Sequence, residues 1–276
     1  MSFALLAALL LPPLAFAEPG FTFKKQGKLI KAFPFEEMKQ RVAPTKITVH
    51  EPHEDKPVTY SGIKMSSLLD AAYGPTWRDA EELLFTCTDG YQPSIPGERF
   101  KKQESFVAFS REGSPTFSLN NRFHNGEVVE LGPFYLVWDN LKNTELKQAG
   151  GEGWPYQVVG VDLIKFSERF PNLAPPPGAS ASANTGFLLF RKHCLSCHTL
   201  NGEGGSKGVE LNYPVSVVEY FDRKMLKRWI TDPSTIRFSS AMPAFNHPGP
   251  EGDSQIEAIL SYFDAMSKNK KKPVGK

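Results

Sequence analysis

The sequence predicts two domains, a mixed α+β domain followed by an all-α domain, and three observations lead to this fold class. Residues 18–170 contain short β-branched and aromatic runs that are typical of strands, with few helical patterns between them. Residues 184–270 instead show apolar side chains at helical spacing. The stretch between them, residues 171–183, is rich in Pro, Ala and Ser, which predicts an extended tether.

The composition is that of a globular protein and excludes few partners. Of the 276 residues, 40% are hydrophobic and 22% are charged, which is ordinary for a protein that buries a core. The formal net charge of +2 is close to neutral, so no nucleic-acid partner is predicted. The end of the chain, residues 271–276, is interpreted as a solvated basic tail, with contact to an acidic partner or to anionic lipid as the alternative.

The first 17 residues are predicted to be a cleaved secretory signal. They are almost wholly apolar and end in a small-x-small site formed by Ala15 and Ala17. A positive n-region is missing, so an uncleaved anchor and a misassigned start stay as alternatives. The run is short and Pro12 and Pro13 interrupt it, so no stable membrane span is predicted. We therefore expect an exported, periplasmic protein.

Strands account for most of the predicted elements in residues 18–170. Residues 45–49 alternate polar and β-branched side chains, and residues 82–87 form an apolar run that is typical of a buried strand. Apolar spacings of three and four residues predict a helix over residues 65–72. Further extended segments are predicted at residues 58–63, 106–109, 128–129, 134–138 and 156–166.

A series of short motifs runs through residues 40–168. The motifs lie at residues 60–63, 68–70, 85–91, 95–96, 125–126, 132–133 and 158–161. In order and spacing, they resemble the molybdopterin-binding domain of the sulfite oxidase family. A cysteine directly after a core strand ligates molybdenum in that family, and Cys87 has a similar place. The resemblance implies a molybdopterin cofactor with Cys87 as metal ligand, and an oxidoreductase activity.

The chain departs from this family at positions that would hold the cofactor. Family members carry an arginine shortly after the Gly-Pro turn at residues 132–133, whereas apolar residues 134–138 follow here. An anionic cofactor needs cationic donors, and the candidates lack the family's spacing. We therefore favour a cofactor-free domain for docking or ligand binding, in which Cys87 is a small buried hydrophobe. The candidate cations are Arg99, Lys101, Lys102, Arg111 and Arg122, with His124.

The Asp-Gly-Tyr sequence at residues 89–91 directly follows the strand predicted at residues 82–87. We interpret it as a turn, because Gly permits a positive φ and Asp accepts hydrogen bonds from nearby backbone. The alternative makes Asp89 and Tyr91 part of a ligand pocket.

Cys194, Cys197 and His198 form the most specific motif in the chain. Two thiols three positions apart, followed by an imidazole, are the attachment pattern of c-type haem. The cysteines would form thioethers with the vinyl groups, and His198 would give the iron its proximal nitrogen. A disulfide between the two cysteines is the alternative, but it leaves His198 without a role. The motif therefore predicts one covalent haem c.

Predicted helices surround this motif. One of them, capped by Asn184 or Thr185, is expected to include residues 187–198; a second covers residues 222–231, and a third follows Ser254. With a methionine loop between the last two helices, this order resembles a small class I cytochrome c over nearly all of the second domain. The resemblance implies an all-α domain around the haem.

Met242 is the predicted sixth ligand of the haem iron. It lies in a proline-containing loop between two predicted helices, and in the cytochrome c family such a loop brings a thioether to the iron. His247 is the main alternative ligand. Met225 and Met266 lie in helical patterns and are interpreted as core residues, and His193 is interpreted as an exposed helix residue.

An iron held by His198 and Met242 has no open position, which favours electron transfer over catalysis at the metal. We expect a periplasmic monohaem cytochrome that exchanges electrons with a redox protein partner. The alternative is a molybdenum-dependent, sulfite-dehydrogenase-like oxidoreductase that passes electrons to its own haem. A third hypothesis is a haem sensor in which carbon monoxide or nitric oxide displaces Met242.

Overall fold

The computed structural model describes residues 18–124, 126–245 and 249–273. The predicted secretory signal, residues 1–17, lies outside the described residues. Within the described ranges, the molecule is a mixture of helices and strands in several sheets. None of the described helices is both long enough and apolar enough to cross a membrane.

Strands and short helices alternate from residue 20 to residue 169. Each segment that was predicted to be extended corresponds to one of these strands, and the predicted helix at residues 65–72 is α2, so these predictions are confirmed. The strands are β1 (Gly20–Lys25), β2 (Lys28–Pro34), β3 (Thr45–Glu51), β4 (Lys56–Lys64), β5 (Glu82–Cys87), β6 (Ser94–Pro96), β7 (Ser105–Arg111), β8 (Ser118–Asn121), β9 (Glu127–Glu130), β10 (Tyr135–Trp138) and β11 (Val158–Ile164). The helices are α1 (Phe35–Arg41), α2 (Met65–Tyr73), α3 (Gly97–Lys102), α4 (Thr144–Gln148) and α5 (Phe166–Arg169), with 3-10 turns at Gly74–Asp79 and Arg122–His124.

Two sheets form the body of this part of the chain. β2, β1, β11, β5 and β6 pair in that order, with β1 and β11 parallel and the other neighbours antiparallel. β10, β7, β4 and β3 form a second sheet that is antiparallel throughout. β8 and β9 pair separately. Buried side chains of both sheets belong to one hydrophobic cluster, the first cluster, which includes Phe23, Tyr60 and Val107.

Strand β5, which pairs with β11 and β6, is buried on both faces. Leu83 and Phe85 pack in the first cluster, whereas Leu84, which points to the opposite face, packs in a second cluster. Ile164 at the end of β11 belongs to the second cluster as well. A strand that is buried on both faces has a continuous apolar sequence, which explains the apolar run at residues 82–87.

Helices dominate the chain after residue 170. They are α6 (Ala181–His193), α7 (Val217–Tyr220), α8 (Arg223–Thr231) and α9 (Pro250–Ser267), with a 3-10 turn at Pro233–Thr235 and a ribbon of β12 (Thr199–Leu200) and β13 (Glu203–Gly204). α6 packs along α9, and Gly186 lies where an added Cβ would collide with the Ala258 carbonyl. Glycine destabilises a helix by about 1 kcal/mol relative to alanine. Here its missing side chain permits the close approach of the two helices.

The predicted fold class is wrong in its second half, because the described residues form no separate all-α cytochrome c domain. The second cluster combines Leu84 and Ile164 of the five-stranded sheet with Phe190, Ile259 and Tyr262 of α6 and α9. The outer face of this sheet is apolar and has to be covered, and the C-terminal helices supply the cover. Helical periodicity predicted these helices but did not show what they pack on.

Residues 171–183, which were predicted to be an extended tether, pack against the rest of the molecule. Leu173 is fully buried, and its carbonyl accepts a hydrogen bond from the Tyr262 hydroxyl at 2.7 Å. The Ser180 side chain accepts from the Ala183 amide at 3.1 Å and caps α6. α6 therefore begins earlier than predicted, because the Ala-Ser sequence is a good first turn once a serine caps it.

Candidate functional site

The cysteine motif forms a tight turn directly after α6. The backbone amides of Cys197 and His198 both donate to the carbonyl of Cys194, at 3.1 and 2.9 Å. α6 ends at His193, five residues earlier than predicted, although the bonds of the turn span three and four residues as in a helix. Leu195 is buried in the second cluster, whereas the two cysteines and His198 stay half-buried.

His198 is held in one tautomer. Its Nδ1 lies 2.8 Å from the carbonyl oxygen of Val209. A carbonyl oxygen only accepts, so Nδ1 carries a hydrogen, and in the neutral ring the lone pair is then on Nε2. Histidines that bind metals are commonly oriented by a second group in this way. Nε2 of His198 is therefore the ring nitrogen that could bind a metal.

Gly208 lets the neighbouring chain run against the imidazole ring. A Cβ at this position would lie 2.5 Å from Cε1 and 2.7 Å from Nδ1 of His198. The Gly208 amide also donates to the Cys197 carbonyl at 2.7 Å, which fixes the two segments side by side. Any larger residue would displace the ring or break this pairing.

Both motif cysteines are free thiols and not the alternative disulfide. Burial raises the pKa of Cys194 to about 12. Burial also raises the pKa of Cys197, although the Lys207 ammonium opposes this shift. Pairs that exchange disulfides have a thiol with a lowered pKa, so this pair lacks the electrostatics of a dithiol redox centre.

Met242 lies half-buried in the loop between α8 and α9. It packs against the second cluster, as Cys194 does. The Phe245 amide donates to the Thr231 carbonyl at 3.1 Å, which anchors the loop to the end of α8. The alternative ligand, His247, lies outside the described residues.

His193, Met225 and Met266 were not predicted to be iron ligands, and their exposure in the structure tests the positions predicted for them. His193 is exposed, as predicted, and its ring centroid lies 5.1 Å from that of Phe245. Met266 is fully buried, which confirms its predicted core position. Met225 is 38% exposed, so its predicted core position is wrong, because α8 turns Leu226 inward instead.

The residues at the motif fit a covalently attached haem c. Cys194 and Cys197 offer two free thiols, His198 offers a nitrogen lone pair, and Met242 offers a thioether in an anchored loop. These are the donors that c-type haem uses. In the part of the chain that the structure describes, no group of three or more His, Cys, Asp or Glu side chains could hold a bare metal ion.

Cys87 has a different setting at the end of β5. It is 4% exposed and belongs to the first cluster. Burial raises the pKa of its thiol far above the usual range; the nearby Asp89 carboxylate adds to the shift and Lys207 opposes it. A molybdenum ligand has to be a thiolate that faces a space for the metal and its cofactor. The buried Cys87 thiol does not fit that requirement.

The candidate cations for a molybdopterin have partners within the first part of the chain. The side chain of His124 lies outside the described part. The partners are Glu54 for Arg111, Asp55 for Arg122, the Trp138 ring for Arg99, and Glu98 for both Lys101 and Lys102.

The Asp-Gly-Tyr turn after β5 contacts the chain around the cysteine motif. Asp89 Oδ1 accepts from the Tyr91 amide at 2.9 Å and Gly90 has a φ of +88°, so the interpretation as a turn is confirmed. Asp89 Oδ2 also pairs with Lys207 at 2.7 Å, and the Gly90 carbonyl accepts from the Ser206 amide at 2.9 Å. The sequence does not predict this contact, because its two halves are more than a hundred residues apart.

A cleft of about 280 Å³ lies beside the cysteine motif. β5, β6 and α6 line it, together with Leu195 and Ser196 of the motif itself. Lys192 and Glu152 place opposite charges on its walls, and Arg191 pairs with Glu82 there. This lining suits a small polar molecule better than an apolar one.

A buried polar cluster in the first part of the chain was not predicted. Glu51 is fully buried and accepts from the hydroxyls of Tyr60 and Tyr135 at 2.7 and 3.0 Å, and His53 Nδ1 lies 2.7 Å from the same carboxylate. The alternation of β3 contained the signal, because it puts Glu51 on the same inward face as Val49.

Comparison with known proteins adds no family to these observations. Models of known protein families do not match the chain, and neither does any curated protein. The two resemblances drawn from sequence motifs therefore stay predictions. The chemistry of the chain has to be inferred from its own donor atoms, of which Cys194, Cys197, His198 and Met242 form the most complete set.

Proposed function

We propose that this protein attaches one haem c covalently through Cys194 and Cys197 and transfers single electrons between partner proteins. The observation that carries the proposal is the hydrogen bond from His198 Nδ1 to the Val209 carbonyl, which leaves Nε2 free to bind iron. When bound, the haem supplies a one-electron couple at its iron.

The chain's own residues hold the group and limit its chemistry. His198 would supply a nitrogen ligand to the iron, and Met242 would supply a thioether sulfur. Two protein ligands leave no iron position for a substrate, so this ligand set favours electron transfer. Cys194 and Met242 both pack against the second cluster, so each has an apolar neighbourhood on its buried side.

The first part of the chain acts as a cofactor-free unit for docking or ligand binding in this proposal. The buried thiol of Cys87 supports the absence of a metal there. The cleft beside Ser196 supports a small polar ligand next to the motif, and the Asp89–Lys207 ion pair holds the two parts together at that point.

The proposal also covers location and partners. The apolar start and the small-x-small site at Ala15 and Ala17 favour export, and attachment of haem c generally follows export. The partner is then a soluble or membrane-bound redox protein of the periplasm.

Covalent haem is the decisive test. We would express the full chain in a bacterial host that attaches haem c in its periplasm, and measure the intact mass after denaturation. One haem per chain is expected for the natural sequence and for Cys87→Ala, and none for Cys194→Ala combined with Cys197→Ala. A folded natural protein that releases all haem on denaturation, or never gains it, would overturn the proposal.

Two further measurements separate the alternative functions. The molybdenum hypothesis requires molybdenum in the purified protein and its loss in Cys87→Ala. The sensor hypothesis requires that carbon monoxide binds quickly to the reduced protein, because Met242 would have to leave the iron. A slow or absent reaction with carbon monoxide favours electron transfer.

A further inference from the structure

Glu210 binds an unusual number of backbone amides beside the cysteine motif. Its Oε1 accepts from the amides of Asn201, Asn212 and Tyr213 at 2.8, 2.9 and 3.0 Å, and its Oε2 accepts from the Gly202 amide at 2.9 Å. Hydrogen bonds to an ionised carboxylate are about twice as strong as neutral ones. One side chain therefore holds two separate backbone segments together.

The first of these segments is the direct continuation of the motif. Asn201 follows β12, lies only three residues after His198, and has a φ of +55°. Asn201 is 2% exposed and its side chain accepts from Asn212 Nδ2 at 2.8 Å. A carboxylate that accepts from Asn201 and Gly202 therefore stabilises a strained turn close to the imidazole.

The second segment contains the acceptor of the His198 hydrogen bond. Val209 directly precedes Glu210, and its side chain is 64% exposed, so its own burial does not fix its carbonyl. Two backbone hydrogen bonds and one carboxylate hold this carbonyl in place instead. The Gly208 amide donates to the Cys197 carbonyl at 2.7 Å, and the Leu211 amide donates to the Thr199 carbonyl at 3.0 Å. The carboxylate is that of Glu210.

We infer that Glu210 is a positioning residue for His198. It fixes the Val209 carbonyl against Nδ1 and so sets how strongly the imidazole donates to the haem iron. This inference rests on the proposed haem attachment and adds a second residue that controls its reduction potential. A strong acceptor at Nδ1 makes the imidazole a better donor, which stabilises the ferric state and lowers the potential.

Loss of the carboxylate should therefore raise the potential. In Glu210→Ala the Val209 carbonyl is released from its fixed position, and the Nδ1 hydrogen bond weakens. The ferrous state then becomes more stable relative to the ferric state. At a fixed applied potential we expect the ratio of ferrous to ferric protein to rise roughly tenfold, by analogy with the effect of lost outer partners on metal sites. Tenfold corresponds to about 59 mV for a one-electron couple.

Two further variants make the test specific. Glu210→Gln keeps an oxygen for the Asn201, Asn212 and Tyr213 amides but turns an NH₂ group towards Gly202, so it should give a smaller shift in the same direction. Glu203→Ala is the matched control, because Glu203 lies in the same loop and also accepts from a backbone amide, that of Asn172 at 2.9 Å. Glu203 does not bond the Val209 segment, so its variant should keep the natural potential.

The measurements distinguish failure of this inference from failure of the haem proposal. Covalent haem in the natural protein is measured first by intact mass, and its absence would overturn the haem proposal alone. With haem attached, spectroelectrochemical titration of the three variants follows. An unchanged potential in both Glu210 variants, or an equal shift in Glu203→Ala, would overturn the role of Glu210. If Glu210→Ala does not fold, the shift in Glu210→Gln against Glu203→Ala decides.

Discussion

Cys87 and the cysteines of the motif are the same residue type in two different settings. Cys87 is enclosed by the first cluster, and its sequence neighbours are Thr86 and Thr88 rather than a histidine. Cys194 and Cys197 are half-buried and directly precede a histidine whose Nδ1 donates to the Val209 carbonyl. The difference teaches that a thiol becomes a candidate ligand through its neighbours and the space around it, since burial raises the pKa in both settings.

The polar groups of the two regions also differ in how completely they hydrogen-bond to one another. In the first part of the chain, Glu51, His53 and Tyr135 satisfy one another, and Glu54 pairs with Arg111. Around the motif, the hydrogen bond of His198 to the Val209 carbonyl uses Nδ1 and not Nε2. The first arrangement stabilises the fold, and in our proposal the second orients the nitrogen that would bind iron. Four substitutions test this contrast, from the largest expected effect to the smallest.

The largest effect is expected for Glu51→Ala. The change leaves the hydroxyls of Tyr60 and Tyr135 and the His53 ring buried without their acceptor, which should lower the free energy of unfolding by roughly 3–5 kcal/mol. Urea denaturation followed by circular dichroism measures it. Glu112→Ala is the control, because Glu112 forms an exposed pair with Lys46, and removing one partner of an exposed pair should change stability far less. Equal stability of the two variants would show that the buried cluster is not structural.

The Glu54–Arg111 pair should make stability depend on pH. Burial raises the pKa of Glu54, but the hydrogen bonds from Arg111, Asn120 and Lys56 outweigh it and lower the pKa to about 2 from 4.5. Because the folded pKa is the lower one, the pair stabilises the fold fully above pH 4.5, and this contribution is lost as the pH falls towards 2. A shift of this size corresponds to at most about 3.4 kcal/mol, and screening by solvent reduces the contribution below that limit.

Unfolding measured between pH 6 and pH 2.5 tests this dependence. The natural protein should lose more stability over this range than Glu54→Gln, which cannot titrate at this position. Parallel curves for the two proteins would contradict the assignment of the pH dependence to Glu54.

A smaller effect is expected for Gly208→Ala. The new Cβ would press on the His198 ring, and overpacking of this kind lowers stability by roughly 1–3 kcal/mol. Less haem should be attached per chain, because the ring has to move. Gly132→Ala is the control, because its Cβ would meet only Phe117 at 3.9 Å. Equal haem content in both variants would contradict the close packing of Gly208 on the imidazole.

The smallest effect is expected for Cys87→Ala. The loss of one buried sulfur should lower the free energy of unfolding by about 1 kcal/mol. Haem content should stay at the natural value, because Cys87 has no role in attachment. A fall in redox activity at unchanged haem content would instead make Cys87 functional and weaken the contrast between the two settings.

Local patterns predicted much of this fold. The alternation in residues 45–49 and the apolar run in residues 82–87 gave β3 and β5, and the spacing in residues 65–72 gave α2. Such patterns depend on which face of an element is apolar, which the sequence shows directly. The turn at Asp89 and the buried Met266 were predictable for the same reason, because each depends on residues close in sequence.

Long-range packing could not be predicted in this way. The sequence showed that Leu84 is apolar but not that Phe190 and Tyr262 would cover its face, and so it suggested a separate all-α domain. The carboxylate of Glu210 and the ion pair between Asp89 and Lys207 have no local pattern either. Their partners lie in loops that are distant in sequence or irregular in conformation, so no local periodicity indicates them.

The iron and molybdenum content of the purified protein tests the contrast between His198 and Cys87 most directly. The protein should come from a host that makes both haem c and molybdopterin, and mass spectrometry should count both metals per chain. We predict one iron and no molybdenum. One iron with about one molybdenum would make Cys87 a metal ligand in spite of its burial, and a protein without iron would contradict the assignment of the motif.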